Sequence, residues 1–410
     1  MPKGDKLISM KISIIGQGYV GLNLAMAIPS YHQIVGYDVN PELVARLLGG
    51  NSHIEGIASE DLSLKVTSGS YIPTLDSSLI TGSEIIVIAV PTPLDANRQP
   101  DLSYVRSACL TIAGVMRSKV LVINESTSYP GTLRDLIKPL IEENSFSSSL
   151  FEYAVSPERV DPGSKSWNLF NTPRLYSGLT PEACIKTRDF YSTFCDTLHE
   201  VSSPEIAEAA KLFENTFRQV NIALVNEFAQ ISHALGLSVY ETLDAADTKP
   251  YGFMKFLPGA GVGGHCIPVD PSYLSETASK LGVPARFIDL ANETNLYMAD
   301  YVIARITADN PPNLEGRKIQ LIGVAYKPNV ADTRETPAIR LIERLRGAGA
   351  DVTWHDPLVS SWKGETSSAL GGAEIAILVT KHQVISEKAI IASSPYVFDT
   401  TGTLTGTPSL

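Results

Sequence analysis

Over residues 11–204 the chain alternates short β-branched runs with amphipathic stretches. The runs at 12–15, 34–37, 85–90 and 120–123 predict strands, and the stretches between them predict helices. Strand–helix alternation of this kind predicts a parallel sheet with helices on both faces. The pattern then changes period. Phe213, Phe217, Val220, Leu224, Phe228, Ile231 and Leu235 recur every three or four residues. That spacing predicts one long amphipathic helix over 204–236, with Pro204 and Gly236 as its limits. About thirty helical residues span roughly 45 Å, enough to bridge two domains.

A Gly/Pro-rich stretch at 250–271 predicts a loop, and a second helical pattern covers 285–308. Asn310-Pro311-Pro312 makes a natural boundary. Beyond it, 318–324, 351–354 and 375–379 read as strands, and Thr336-Pro337 as an N-cap with Pro at the first helical position. The expected fold is therefore α/β: a Rossmann-type parallel-sheet domain over 1–203, a central long-helix domain over 204–309 and a Rossmann-like domain over 310–410. No repeat of solenoid length interrupts this pattern.

Composition narrows the reading. The chain has 410 residues, 44% hydrophobic and 19% charged, a balance that describes folded domains. Its net charge is −11, with acidic residues scattered and no basic stripe, which argues against a nucleic-acid partner. An anionic ligand stays open, because helix N-termini and a few placed cations hold phosphate locally. The apolar runs are too short to span a membrane. The polar segment 1–10 predicts no signal peptide, and Met10 is itself a plausible start, with 1–9 an extension. Cys109, Cys184, Cys195 and Cys266 have neither CxxC nor zinc spacing, so no metal is expected, and reduced thiols in the cytoplasm are the default.

The chemistry concentrates in a few segments. Gly16-Gln17-Gly18-Tyr19-Val20-Gly21 follows a strand and opens a helix. The three glycines serve a tight turn, close approach to a pyrophosphate and helix packing. Asp38 closes the next strand, where a carboxylate accepts from ribose hydroxyls and repels a 2′-phosphate; NAD is expected over NADP. Pro91-Thr92-Pro93 and Glu125-Ser126-Thr127 end strands where open α/β sheets bind ligands, though either alone reads as an ordinary turn. Cys266 lies in Gly261-Val262-Gly263-Gly264-His265-Cys266. Glycines at that density let backbone crowd a ligand and expose a thiol, favouring a nucleophile over a structural cysteine. His265 is read as structural, since adjacent residues seldom point the same way. Lys211 and Asn215 share a helix face roughly opposite the Phe213–Leu235 stripe; by itself such a lysine reads as a solvated charge.

With these segments in place, the chain resembles the nucleotide-sugar 6-dehydrogenases, the UDP-glucose/GDP-mannose dehydrogenase family. The segments that carry the resemblance are GQGYVG, VPTP, ESTSYPGT, SPERVDPG, KLFENTFRQVNIALVNE, GAGVGGHCIPVDP and GVAYKPNVADTRETPA, in that order from Ile12 to about Thr401. The resemblance implies oxidation of a sugar C6 alcohol to a carboxylate with two NAD in turn. It implies Cys266 as nucleophile, passing through a thiohemiacetal and a thioester. It implies Lys211 as the group that polarises the C6 oxygen, Asn215 as its companion, and Glu158 as the carboxylate of thioester hydrolysis. Thr127 and Asp270 match positions that hold water and order the thiol and lysine. Pro91, Thr92, Thr127 and Arg334 are expected at the cofactor; Glu158, Arg159, Lys211, Asn215, Phe253, Gly261 and Lys327 are expected at the nucleotide sugar.

The C-terminal turn Gly323-Val324-Ala325-Tyr326 lacks the full fingerprint, so no second dinucleotide site is expected there. The segment Pro250-Tyr251-Gly252-Phe253-Met254 reads equally as a flap over substrate and as a plain loop. The long helix pairs two subunits in the family; packing within one chain is the other reading of its Phe-rich stripe. Arg159-Val160 stand where UDP-glucose enzymes usually carry Phe-Leu, which, with Asp161-Pro162-Gly163 and TKPYGFM, resembles the branch acting on UDP-N-acetylhexosamines. UDP-N-acetylglucosamine is favoured, then UDP-N-acetylmannosamine, with UDP- or dTDP-glucose as the alternative. Leu133, Ala260 and Ser272 depart from the family pattern and touch substrate detail only. A one-step dehydrogenase of the 3-hydroxyacid or 6-phosphogluconate type has no use for Cys266 or a second α/β domain. An NAD-binding regulator without turnover fits poorly with Cys266, Lys211, Glu158 and Asp270 all in place.

Overall fold

The computed structural model describes residues 9–54, 56–95, 98–160, 166–264, 266–310 and 313–410. His265, Asp161-Pro162-Gly163 and all but the last of residues 1–9 lie outside that set. The chain forms two compact units, one ending at Phe213 and the other beginning at Glu214.

The first unit is built on strands β1 (Lys11–Ile15), β2 (Gln33–Tyr37), β3 (Tyr71–Thr74), β4 (Ile85–Ile88), β5 (Val120–Asn124), β6 (Phe151–Val155), β7 (Arg174–Gly178) and β8 (Leu198–Glu200). Among the described residues they form one sheet in the order β3-β2-β1-β4-β5-β6-β7-β8, parallel through β6, with β7 antiparallel to β6. The first six strands follow the doubly wound dinucleotide-binding order, whose ligand crevice opens beside β1 and β4. Ile, Val and Leu fill β4 and β5 because both faces of this sheet are covered; every residue of those strands is buried. The flanking helices are α1 (Tyr19–Ala27), α2 (Pro41–Leu48), α3 (Ser59–Thr67), α4 (Ser103–Val115), α5 (Lys138–Asn144) and α6 (Pro181–Tyr191). Asn40 starts α2 by accepting from the Glu42 and Leu43 amides, ahead of Pro41. Thr180 starts α6 in the same way through the Ala183 amide, ahead of Pro181.

Helix α7 (Pro204–Ala234) is the long helix that the spacing predicts, and the boundary between the units falls within it. The second unit continues with α8 (Val239–Asp247), α9 (Asp270–Lys280) and α10 (Arg286–Asp309). It then adds strands β9 (Lys318–Ile322) and β10 (Asp351–His355), the short hairpin β11 (Ser361–Trp362) and β12 (Glu365–Thr366), and strands β13 (Ile375–Leu378) and β14 (Tyr396–Asp399). Helices α11 (Ala338–Gly347) and α12 (Glu387–Ile391) complete it. Strands β10-β9-β13-β14 form an all-parallel sheet. Val225 and Ala229 of α7, Met298 and Val302 of α10, and Leu321 and Trp354 of this sheet share one buried core. Truncating Trp354 in such a core costs about 3–5 kcal/mol.

The α/β class with a helical middle is borne out. Two boundaries shift by a residue or two. The strand expected over 318–324 stops at Ile322, because Gly323 turns the chain with φ +84°. Pro337 rather than Thr336 occupies the cap of α11, and the Thr336 hydroxyl accepts from the Ala338 amide at 3.3 Å. On α7 the apolar stripe is the exposed side: Phe213, Leu224 and Leu235 are each more than 60% exposed. Its buried side carries Glu208, Lys211, Asn215, Gln219 and Asn226 instead. No helix among the described residues is long and apolar enough to cross a membrane.

Candidate active site

The dinucleotide turn is built from β1, β2 and β4. Gly16 leaves β1 with φ +92°, and its amide donates to the Tyr37 carbonyl at 2.8 Å. A side chain there would meet the Ala89 carbonyl oxygen at 2.5 Å, so both backbone conformation and space require glycine. A side chain at Gly21 would meet the Gly16 carbonyl oxygen at 1.9 Å, so α1 packs directly on the turn. Gly18 caps α1 without a side-chain partner, and a Cβ placed on it meets nothing within 4 Å. Tyr19 and Val20 open the helix behind it. An open approach to the amides at a helix N-terminus is what a pyrophosphate needs. Asp38 accepts from the Gln17 amide at 2.7 Å and the Asn40 amide at 2.9 Å, which fixes its carboxylate at the end of β2. These residues fit NAD: amides for the pyrophosphate and a held, half-exposed carboxylate for the ribose.

The remaining first-unit candidates lie at the ends of β4, β5 and β6. Pro91 is exposed and Thr92 buried after β4, while Thr127 is half-buried after β5. The Ser126 hydroxyl stitches these two segments together, meeting both the Val90 amide and the Val90 carbonyl at 2.9 Å. Glu158 and Arg159 follow β6. The Val160 amide donates to the Glu158 carboxylate at 2.6 Å, and Arg159 donates to the Pro173 carbonyl at 2.7 Å. Beneath them, Arg174 pairs with the buried Glu125 at 2.9 Å, Tyr191 donates to the same carboxylate, and the guanidinium stacks 4.4 Å from the Tyr191 ring. Burial pushes the Glu125 carboxyl up, and Arg174 and Tyr191 pull the other way.

Lys211 is buried on α7. One turn earlier, the Glu208 carboxylate accepts from the Gly131 amide at 2.7 Å and the Leu133 amide at 3.0 Å. This ties α7 to the segment that follows Thr127. Burial pushes the Glu208 carboxyl up to about 8.

The second unit holds the cysteine. Cys266 is a half-buried thiol outside any disulfide, and its carbonyl accepts from the Asp270 amide at 2.8 Å. Asp270 is buried in the first turn of α9, where the positive end of the helix favours its charge. The Asn215 side-chain amide donates to its carboxylate at 2.6 Å. Asn215, Asp270 and the Cys266 turn are thus brought together. The loop before the thiol packs on the segment that carries Arg334: the Gly264 amide donates to the Arg334 carbonyl at 3.1 Å, and a Cβ at Gly263 would collide with Tyr326 and Pro337. Gly261 sits with φ +138° against the Asn295 carbonyl oxygen. The Arg334 guanidinium pairs with Asp332 on its own loop, Lys327 is half-buried, and Phe253 is 39% exposed.

Several supporting residues have no sequence signature of their own. Asn226 donates to Asn295 at 2.9 Å and accepts from the Gly259 amide at 2.9 Å, while Gln219 donates to Asn292. They bind α7 to α10 and to the start of the cysteine loop. The one signal available was spacing: Asn215, Gln219 and Asn226 share a helix face.

Three consecutive segments match the UDP-glucose/GDP-mannose dehydrogenase family: residues 10–195 its NAD binding domain, 205–297 its central domain and 320–406 its UDP binding domain. The chain belongs to this family. Its relatives include the UDP-N-acetyl-D-glucosamine 6-dehydrogenase of Pseudomonas aeruginosa, 35% identical across 86% of this chain and 84% of that one. The UDP-N-acetyl-D-mannosamine dehydrogenase of Pyrococcus horikoshii is 34% identical across 91% and 90%. A solved structure of the UDP-D-ManNAc dehydrogenase from Pyrococcus horikoshii superposes with a TM-score of 0.88 over 97% of each chain, at 32% identity. The protein is therefore an NAD-dependent nucleotide-sugar dehydrogenase, and NAD is its cofactor.

Proposed function

We propose that this dehydrogenase oxidises the C6 hydroxymethyl of UDP-N-acetylglucosamine to the carboxylate in two successive NAD-dependent steps at one site. The observation that carries the reading is the Cys266 turn: a thiol outside any disulfide, one backbone hydrogen bond away from a buried aspartate that is itself held by Asn215. A one-step alcohol dehydrogenase needs no such thiol.

Bound NAD supplies the acceptor for the two electrons and one hydrogen nucleus removed in each oxidation. Lys211 holds the C6 oxygen and stabilises the charge that develops there. The Cys266 thiolate adds to the C6 aldehyde and gives a thiohemiacetal, so the aldehyde stays attached. The second oxidation leaves a thioester on Cys266. Glu158 takes a proton from water as it attacks the thioester carbon; the C–S bond breaks, and carboxylate and thiol are released. Asp270 and Asn215 orient the thiol and lysine, and Thr127 holds water. In this scheme residues 1–203 carry NAD, with Pro91, Thr92 and Arg334 at the cofactor. Residues 204–309 carry the central helices and cysteine loop, and residues 310–410 the nucleotide sugar. Arg159, Phe253, Gly261 and Lys327 contact the substrate.

UDP-N-acetylmannosamine is the second reading, favoured by the Pyrococcus horikoshii relative. The exposed Phe213, Phe217, Leu224, Ile231 and Leu235 on α7 support a homodimer through that helix. Four cysteines outside any disulfide suit a reducing compartment such as the cytoplasm. The test is a panel of nucleotide sugars with NAD, counting NADH and weighing the product. Two NADH per sugar and a gain of about 14 Da, CH2OH becoming COOH, with one panel member establish the reaction and its substrate. One NADH per sugar with a released aldehyde overturns the cysteine route.

A further inference from the structure

The second unit contains a buried pair that no step above uses. His382 and Asp356 are both fully buried, with Nε2 3.1 Å from a carboxylate oxygen. The other ring nitrogen, Nδ1, accepts from the Asn329 amide at 2.9 Å. A nitrogen that accepts from an amide carries no hydrogen, so Nε2 is the ring donor and it faces Asp356. Asp356 also accepts from the Val324 amide at 2.8 Å and the Ala325 amide at 3.1 Å, and its second oxygen accepts from the Leu358 and Val359 amides. The bonds from this pair into the segment after β9 bracket Tyr326-Lys327-Pro328. Val324 and Ala325 precede Lys327, and Asn329 follows it. The bracket is closed by the Thr380 hydroxyl, which donates to the Ala325 carbonyl at 2.7 Å, and by the Asn329 side chain, which accepts from the Gln383 amide at 2.8 Å. Asn329 itself takes φ +63°, a conformation the flanking bonds must hold in place.

We propose that His382, backed by Asp356, is a positioning residue that holds the Lys327 turn in the shape that receives the nucleotide end of the substrate. The proposal rests on the reading of Lys327 as a nucleotide-sugar contact. Neither His382 nor Asp356 touches substrate; both act through the turn between Ala325 and Asn329.

The experiment measures UDP and NAD binding calorimetrically, together with kcat and KM, for the full-length enzyme and four variants. His382→Phe keeps a ring and removes both hydrogen bonds. It should weaken UDP binding and raise KM for the nucleotide sugar about tenfold, with NAD affinity unchanged and kcat changed less than KM. His382→Asn restores an acceptor near the Nδ1 position and should recover most of the UDP affinity. Unchanged UDP binding in folded His382→Phe, or equal loss in the Phe and Asn variants, overturns the proposal. Lys327→Ala separates the two layers. If it leaves UDP binding intact, the reading of Lys327 has failed; if it weakens UDP binding while His382→Phe does not, the positioning role has failed. Should His382→Phe not fold, His382→Leu carries the test, since leucine matches asparagine in size and differs from it in lacking an acceptor for the Asn329 amide. A loss of UDP affinity of about threefold or more with NAD unchanged then supports the proposal, and no change overturns it.

Discussion

At Gly16 and at Gly323 the chain makes the same turn twice. Each glycine follows an inner strand with parallel neighbours on both sides, takes a left-handed φ, and donates its amide at 2.8 Å to the last residue of the neighbouring strand, Tyr37 or His355. A Cβ at either position would strike a carbonyl oxygen on the other side, Ala89 at 2.5 Å or Thr380 at 2.1 Å. An aspartate follows the neighbouring strand in both cases and accepts from the amide of the residue after the glycine: Asp38 from Gln17 and Asp356 from Val324. The difference lies in what comes next. After Gly16 a helix begins within three residues, with Gly18 open and Asp38 half-exposed. After Gly323 the next helix waits until Ala338, and Asp356 is sealed against His382 and four amides. Burial pushes the Asp356 carboxyl up, but His382 and the amides outweigh it and hold the group below the usual range. One aspartate is left with lone pairs for a ribose; the other has spent them on its own loop. A shared turn therefore does not make a shared ligand, which depends on whether the aspartate and the helix N-terminus stay open.

The largest loss of activity is expected at the cysteine loop of the second unit. Cys266→Ser should lower uronate formation by about a thousandfold or more while NAD binding stays as in the wild type, read by NADH stoichiometry and product mass. Full uronate production by that variant would remove the nucleophile. A smaller effect is expected at its neighbour. Asp270→Asn keeps the acceptor for Asn215 and removes the charge; kcat should fall about a hundredfold with KM little changed. A change confined to KM would mean that Asp270 serves binding alone.

The smallest effect concerns stability in the first unit. Glu208 titrates near 8 in the folded protein, against about 4.3 in an unfolded chain. The folded state therefore binds this proton more tightly. Its contribution is fully present below about pH 4.3 and is lost as pH rises through about 8. Glu208→Gln has no proton to lose, so its melting temperature should decline less than that of the wild type between pH 5 and pH 8. The expected gap is about 2–4 °C for each kcal/mol involved. Parallel declines in the two proteins would show that the Gly131 and Leu133 amides hold Glu208 as a charged group throughout.

What the sequence made legible was what local chain geometry encodes. The Gly16 turn, the strand runs and the long helix are written in adjacent residues, and glycine density marked the Cys266 loop. What stayed hidden depends on partners far away along the chain. Glu208 looks like any solvated helix acid until its partner, 77 residues back, is known. His382 meets the Asn329 amide across 53 residues, and no local pattern announces it. The α7 helix shows the same limit from the other side. Its 3.6-residue period was plain, yet which face is covered within one chain was not, because Glu208, Asn215, Gln219 and Asn226 are buried with hydrogen bonds that no hydrophobic count registers.

The open turn at Gly16 should take NAD and the sealed turn at Gly323 should not. The direct measurement is calorimetric binding of NAD, NADP and UDP to the wild type and to Asp38→Ala. The wild type should bind NAD about a hundredfold more tightly than NADP if the Asp38 carboxylate receives the ribose, where it would repel a 2′-phosphate; the variant should lose most of that gap and keep its UDP affinity. Equal binding of NAD and NADP by the wild type, or loss of UDP together with NAD in the variant, would contradict it.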